Sequence, residues 1–225
     1  MFKKKWMTPK TAERRQELRG GLIEAAERVI GTRGLEALRA RDLATEVGCA
    51  IGAIYNVFPN LDALVIEVNA RTLRAFERFL ADAAKTPPRS GENPAIAELV
   101  QLALVYLAFA VAHRPRWQAL FAHRMAEAGK VPAWYLDEQA RLFGLVERPL
   151  ARLRPDLDGK DLMVLAGTLF SGVHGIVSLG LDEKLIALPA AALQEELSKF
   201  VRVVGIGLVV ARPAYRQANS EPLIP

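Results

Sequence analysis

The sequence predicts an all-α fold. Apolar residues recur at three- and four-residue spacing through most of its length, and no segment keeps a two-residue alternation closed by hairpin turns. The joints between periodic segments carry the Gly, Pro and Asn that stop and start helices. With 225 residues, 51% of them apolar and 24% charged, the chain suits one large or two modest domains with a sizeable core.

Leu18, Leu22, Ala25, Val29 and Ile30 place a first helix over residues 11–33, ended near Gly34. Two short helices follow, at 41–47 and 51–57. Leu43, Val47, Cys49, Ile54 and Val57 fall at intervals that put one apolar seam between them, joined by Phe58. Ala44 is small where the pair crosses, and Gly48 occupies the turn because glycine reaches positive φ without steric cost. This is the spacing of a helix-turn-helix DNA reader, with the helix beginning at Ile51 offered to the major groove. Cys49 reads as a small apolar residue rather than a redox sensor, since no cationic sequence neighbour lowers its pKa.

Pro59 breaks the pattern and Asn60 is a suitable N-cap for a fourth helix. Leu61, Leu64, Val65, Val68, Phe76 and Phe79 carry its apolar face to about residue 83. TPPRSGENP, residues 86–94, is the clearest loop. Then follow a strongly apolar helix from Ala95 to His113, a break at Pro115, and a shorter helix around Trp117–Glu127. Pro132 opens another, to about Arg154. Asp161–Leu181 and Ala190–Ala211 form two long apolar helices separated by DEKLIALP. The expected domains are a basic arm and helix-turn-helix over 1–60, a linking fourth helix over 61–85, and a C-terminal domain over 86–212. Residues 213–225, rich in Pro and polar groups, read as a frayed tail.

The net charge of +5 is concentrated at one end. Residues 1–20 hold Lys3, Lys4, Lys5, Lys10, Arg14, Arg15 and Arg19 against Glu13 and Glu17, so the rest of the chain is formally neutral. A basic arm directly before a helix-turn-helix is the footprint of a phosphate-binding segment; standing alone it would as readily be a solubilising tail. A single Cys fits a reducing compartment, and no apolar signal core follows Lys3-Lys4-Lys5, so a cytoplasmic protein is expected. Leu102–Ala112, the best membrane candidate, has eleven residues, too few to span a bilayer; no membrane partner is expected. The chain lacks G-x-S-x-G, H-E-x-x-H, a P-loop and a Rossmann fingerprint. His113, His123 and His174 lie without metal-ligand spacing, so neither catalysis nor a cofactor is expected.

Three short helices with the reader third, a long fourth helix and a helical remainder resemble the TetR/AcrR family of transcriptional regulators. The likeness is carried by LIEAAERVI, GLEALRARDLA, EVG, GAIYNVF and LDAL within residues 22–64. LFSGVHGIVSLGL, residues 169–181, is similar to the segment that names WHG-type C-terminal domains, with Phe170 where the tryptophan usually stands. The resemblance implies a homodimer that binds a palindromic double-stranded operator and releases it when a small molecule enters the C-terminal domain. It also sets the departures. Arg39 stands where the family places Thr or Ser before helix two, Cys49-Ala50 where a Ser is favoured, Val57 where a His is common, and Leu61 where a Lys contacts phosphate. Each lost phosphate contact flattens the salt dependence by roughly one unit. Arg39, Arg41 and the arm compensate in this reading, along with helix-start amides. A TetR-like sensor acting through protein contacts is the competing reading.

The expected DNA-facing set is therefore Lys3, Lys4, Lys5, Arg39, Arg41, Ala50, Ile51, Gly52, Ala53, Tyr55, Asn56 and Asn60. By the resemblance, Tyr55 packs on backbone phosphate and Gly52 permits close approach. Ala53 suits a thymine methyl and Asn56 an adenine edge, while Ile51 is either an apolar contact or simply exposed. Tyr106, Trp117, Phe121, Phe143 and Phe170, with the polar His123, Arg124 and His174, are the candidate effector contacts. Aromatics at helical spacing are more often core, and His174 reads equally as a satisfied core histidine. Gly167, Ser171 and Gly175, repeated by Gly207 and Ala211, form small-residue stripes; either they meet a second subunit or they pack helices within one.

Overall fold

In the computed structural model, residues 9–83, 92–123, 131–182 and 189–210 are described, and among them every regular element is helical. Two compact units form. The first holds residues 9–75, 113–123 and 131–135, and the second residues 76–83, 92–112, 136–182 and 189–210. The division falls inside the fourth helix, between Ala75 and Phe76, rather than at residues 60 and 85.

In the first unit, α1 (Pro9–Arg33) supplies the central wall: Leu22, Ile23, Ala25, Ala26, Val29 and Ile30 are buried at helical spacing. α1 starts two residues before the expected 11, since Pro is preorganised for a first helical position. Gly34, at φ 81°, ends it, and its N–H donates to the Ile30 carbonyl at 3.0 Å. A single 3-10 turn (Leu35–Ala37) leads to α2 (Ala40–Val47) and α3 (Ile51–Val57). Gly48 between them is left-handed, φ 73° and ψ 40°, and the Cys49 N–H reaches back to the Ala44 carbonyl at 2.9 Å, a Schellman closure. A Cβ at Gly48 would meet nothing within 4 Å, so only backbone strain opposes a side chain there. Gly48→Ala is therefore expected to lose about 1–2 kcal/mol in denaturant unfolding with no change in core packing.

Leu43, Ala44, Ile54 and Phe58 close onto α1, with Val47, Cys49 and Val57 half-buried around them. The Asn60 Oδ1 accepts the Ala63 N–H at 2.9 Å, capping α4 (Leu61–Ala83). Leu64, Val65 and Val68 of α4 complete this core.

One helix departs from expectation. α6 (Arg114–Ala122) packs on α1 and the 3-10 turn, with Ala119 inside the same core. It was expected in the C-terminal domain, around Trp117–Glu127 and after a break at Pro115. Pro115 instead lies in the helix's first turn, where its missing N–H leaves no bond unmade. His123 ends α6, and residues 124–130 lie outside the described residues.

The second unit centres on α5 (Pro94–Ala112), which packs chiefly against α9 (Ala190–Val210) and also against α8 (Gly159–Asp182). α7 (Ala133–Leu153) enters it from residue 136. α5 has 19 residues, as many as the helix expected over Ala95–His113; taken whole rather than as the eleven-residue run Leu102–Ala112, it is long and apolar enough to cross a membrane by length and composition, as is α8. In α5 that apolarity is used as core: Ile96, Leu99, Val100, Val105, Leu107 and Phe109 are all buried. Three glycines set the helix approaches. A Cβ at Gly205 would lie 2.9 Å from Ile96, one at Gly172 2.7 Å from Phe200, and one at Gly180 2.7 Å from Leu193.

Candidate nucleic-acid interface

α3 is split cleanly between two environments. Ile54 is fully buried and Phe58 nearly so, anchoring the helix, whereas Ile51, Gly52, Tyr55 and Asn56 form one exposed stripe. Ala50 is exposed just before it, and Ala53 and Val57 are half-buried at its edges. Tyr55 is 49% exposed although burial would favour so large a ring. A Cβ at Gly52 would meet nothing within 4 Å, so the protein's own packing does not require glycine there. A helical glycine costs about 1 kcal/mol against alanine, which is reason to look outside the chain for what needs the space.

Beside the reader, Arg39 takes an extended backbone and accepts the Leu43 N–H at 3.1 Å, opening α2 without a side-chain cap. Its guanidinium turns back, donating to the Glu36 and Leu38 carbonyls at 2.6 and 2.9 Å, and stays exposed. Arg41 is exposed in the first turn of α2. Asn60 is exposed too, and its Oδ1 is taken by the cap. Lys3, Lys4 and Lys5 lie outside the described residues.

Several other cations of the unit are neutralised internally. Arg19 pairs with Glu67 and lies 5.2 Å over the Phe58 ring. Arg28 pairs with Glu46 at 2.7 Å, and Glu27 receives both Arg71 and Arg116 at 3.0 Å. Arg19, which the charge pattern assigns to the basic arm, is engaged by a partner 48 residues away.

The expected effector contacts fall in both units. Trp117, Phe121 and His123 belong to the first unit, where Trp117 is buried, Phe121 is exposed, and the His123 Nε2 meets the Asp62 Oδ1 at 2.9 Å. Arg124 lies outside the described residues. Tyr106, Phe143, Phe170 and His174 do come together, in the second unit. The Tyr106 hydroxyl and the His174 Nδ1 are 2.7 Å apart, Phe170 stacks on the imidazole, and Phe143 and Tyr106 meet Phe170 edge-on with centroids 5.4 Å away. Burial pushes the His174 pKa below its ordinary value, favouring neutral imidazole. Phe76 and Phe109, which were not among the expected contacts, extend the cluster, Phe76 lying 5.7 Å from Tyr106 and 4.9 Å from Phe109. Also unforeseen is Asn69, a polar residue in an apolar stretch, which is buried and bonds Tyr135; burial pushes the Tyr135 hydroxyl upward and the bond partly offsets this.

The small-residue stripe faces away from its own unit. A Cβ at Gly167, Gly175 or Gly207 meets nothing within 4 Å, and Ser171 is exposed, so these positions do not serve close packing within the subunit. Met163, Val164, Leu179, Val203, Ile206 and Val210 are exposed on the same two helices. Ala211 lies outside the described residues.

Residues 22–68, which contain the reader and its supporting core, match the sequence model of bacterial regulatory proteins of the tetR family. Residues 99–203 match a tetracyclin repressor-like C-terminal domain. The chain belongs to the TetR family. Its regulator fold is shared with solved structures of low sequence identity. A protein of unknown function from Rhodococcus sp. RHA1 is 23% identical, with a TM-score of 0.63 over 83% of this chain and 94% of that one. RolR in complex with resorcinol is 16% identical, with a TM-score of 0.60 over 95% and 98%. A TetR-family transcriptional regulator from Bordetella parapertussis 12822 is 17% identical, with a TM-score of 0.53 over 83% and 94%. These likenesses establish the fold. No curated protein matches the sequence. The aromatic cluster and the segment similar to WHG-type domains both fall in the TetR C-terminal match, apart from Phe76.

Proposed function

We propose that this TetR-family chain is a cytoplasmic repressor that binds a palindromic operator as a homodimer and leaves it when a small molecule is bound. The observation that carries this reading is the outward stripe Ile51, Gly52, Tyr55 and Asn56, held by Ile54 and Phe58 and open at Gly52. A tyrosine ring and an amide on an exposed helix suit phosphate packing and a base edge, and the bare glycine lets backbone approach backbone. A second copy would cover the apolar faces of α8 and α9, which explains exposed valines and isoleucine beside open glycines better than a lipid contact does. The effector site is the cluster of Tyr106, Phe143, Phe170 and His174, apolar with one polar dyad. RolR binds resorcinol, and a small aromatic would suit rings met edge-on here. Its binding would move the two readers off the separation of about 34–36 Å that adjacent major grooves require.

Footprinting on DNA around the protein's own gene, followed by titration, tests this. Tyr55→Ala is expected to weaken operator binding about tenfold while the fold melts unchanged, since the ring is exposed. Unaltered affinity would remove Tyr55 from the interface. The bonding of the Arg39 guanidinium to its neighbours' carbonyls and the apolar Val57 and Leu61 favour one other reading, a dimeric sensor working through protein contacts. It requires that retention on duplex DNA not fall between low and moderate salt.

A further inference from the structure

The first turns of α1 carry charge in an ordered way. From Leu18 to Ile30 the inner face of α1 is apolar and packed on the first unit's core. Residues 12–17 are all exposed, so the helix continues past the end of that core. At 100° per residue, Arg15 lies within about 20° of the buried Leu22, in the middle of the inner face, and Arg14 flanks it above Leu18. Glu13 and Glu17 fall on the opposite side, in line with the exposed Glu24. The inner face thus changes from leucine to arginine where the protein beneath it gives out, and the acids face away.

The position of this overhang is fixed by Arg19, whose guanidinium sits over Phe58, the residue that ends the reader helix, and pairs with Glu67 of α4. Arg15 is one helical turn, about 6 Å, farther along the same face. Among the described residues no ion pair engages Arg14 or Arg15, in contrast to Arg19, Arg28, Arg71 and Arg116. A rigid, one-sided basic overhang beside an exposed reader fits a polyanion with fixed phosphate spacing, which is duplex DNA.

We propose that residues 12–17 form a rigid helical clamp on the DNA backbone beside the end of the reader helix, with Arg15 as its principal phosphate contact and Arg14 flanking. This rests on the DNA-binding reading above and gives Arg14 and Arg15 of the basic arm a fixed register on the helix.

The test uses the full chain, a labelled random-sequence duplex of about 30 base pairs, and a salt series. Arg15→Ala is expected to weaken binding about tenfold and reduce the slope of log Kd against log salt by about one. Gln16→Pro keeps every charge but breaks the overhang, leaving the helix to restart at residue 16, and is expected to give a similar loss. Lys160→Ala, which removes one positive charge from the other unit, is the control and should behave as wild type. Thermal melting confirms that each variant is folded. A Gln16→Pro variant that binds as wild type overturns the rigid clamp, and an Arg15→Ala slope equal to the Lys160→Ala slope overturns the contact. If the wild-type chain itself shows no salt-dependent binding, the DNA-binding reading has failed and the clamp fails with it.

Discussion

Ile206→Asp is expected to leave the protein monomeric in sedimentation or light scattering at micromolar concentration, with its thermal melting little changed. Ile206 lies on the outer face of α9 with Val203 and Val210, which are 69% and 75% exposed, and next to Gly207, whose Cβ position is open. On α8, Val164, Thr168, Ser171, Gly175 and Leu179 make a second stripe at three- and four-residue spacing. Because Ile206 contacts solvent in the single chain, replacing it removes little from the subunit's own core. In a twofold dimer each substitution is met twice. Losing a buried isoleucine and placing a carboxylate in an apolar contact costs about 3 kcal/mol per subunit, or about 6 kcal/mol per dimer. That corresponds to roughly a 10⁴-fold weaker association. Operator affinity should fall with it, because two half-sites would then be bound independently rather than by one rigid pair. A variant that stays dimeric would place the subunit contact elsewhere than on this face of α9.

The parts of the molecule legible in the sequence are those governed by local rules. α3 was placed at its observed bounds and α2 within one residue, because a seam of Leu43, Val47, Ile54 and Val57 with Gly48 in the turn leaves little choice of register. The Asn60 cap and the left-handed Gly48 follow from chemistry within three or four residues. What failed depends on partners far away in sequence. Arg19 looks like part of a free basic arm until Glu67 is seen beside it. Pro115 looks like a break, yet it is harmless in a first helical turn, and nothing local reveals that α6 packs on α1. Glycine spacing alone could not separate Gly167, Gly175 and Gly207, which are open, from Gly172, Gly180 and Gly205, which are filled by Phe200, Leu193 and Ile96. The aromatic cluster was half visible: Tyr106, Phe143, Phe170 and His174 meet, and Phe76, which spacing did not single out, joins them from α4.

Trp117 gives the sharpest energetic test of the first unit's core. As an effector contact its loss would dull the response to ligand and spare stability; as core it should do the reverse. Trp117 is 2% exposed and meets Phe121 edge-on, on a helix that the first unit holds at several points. Ala119 lies in the helix-turn-helix core, Arg116 fills the space over Gly31 and pairs with Glu27, and His123 fastens the helix end to Asp62 at the start of α4. Deleting so large a buried ring costs about 3–5 kcal/mol, because transfer and cavity terms add. For a chain of this size that lowers the melting temperature by roughly 10 °C. Phe121→Ala, one turn on and 42% exposed, should shift it far less. The loss at Trp117 should appear first in the reader, since α6 shares the core that holds Ile54 and Phe58. Operator affinity should therefore fall on warming well before the second unit unfolds. A Trp117→Ala protein that melts like wild type would show that this ring adds little to the first unit's core.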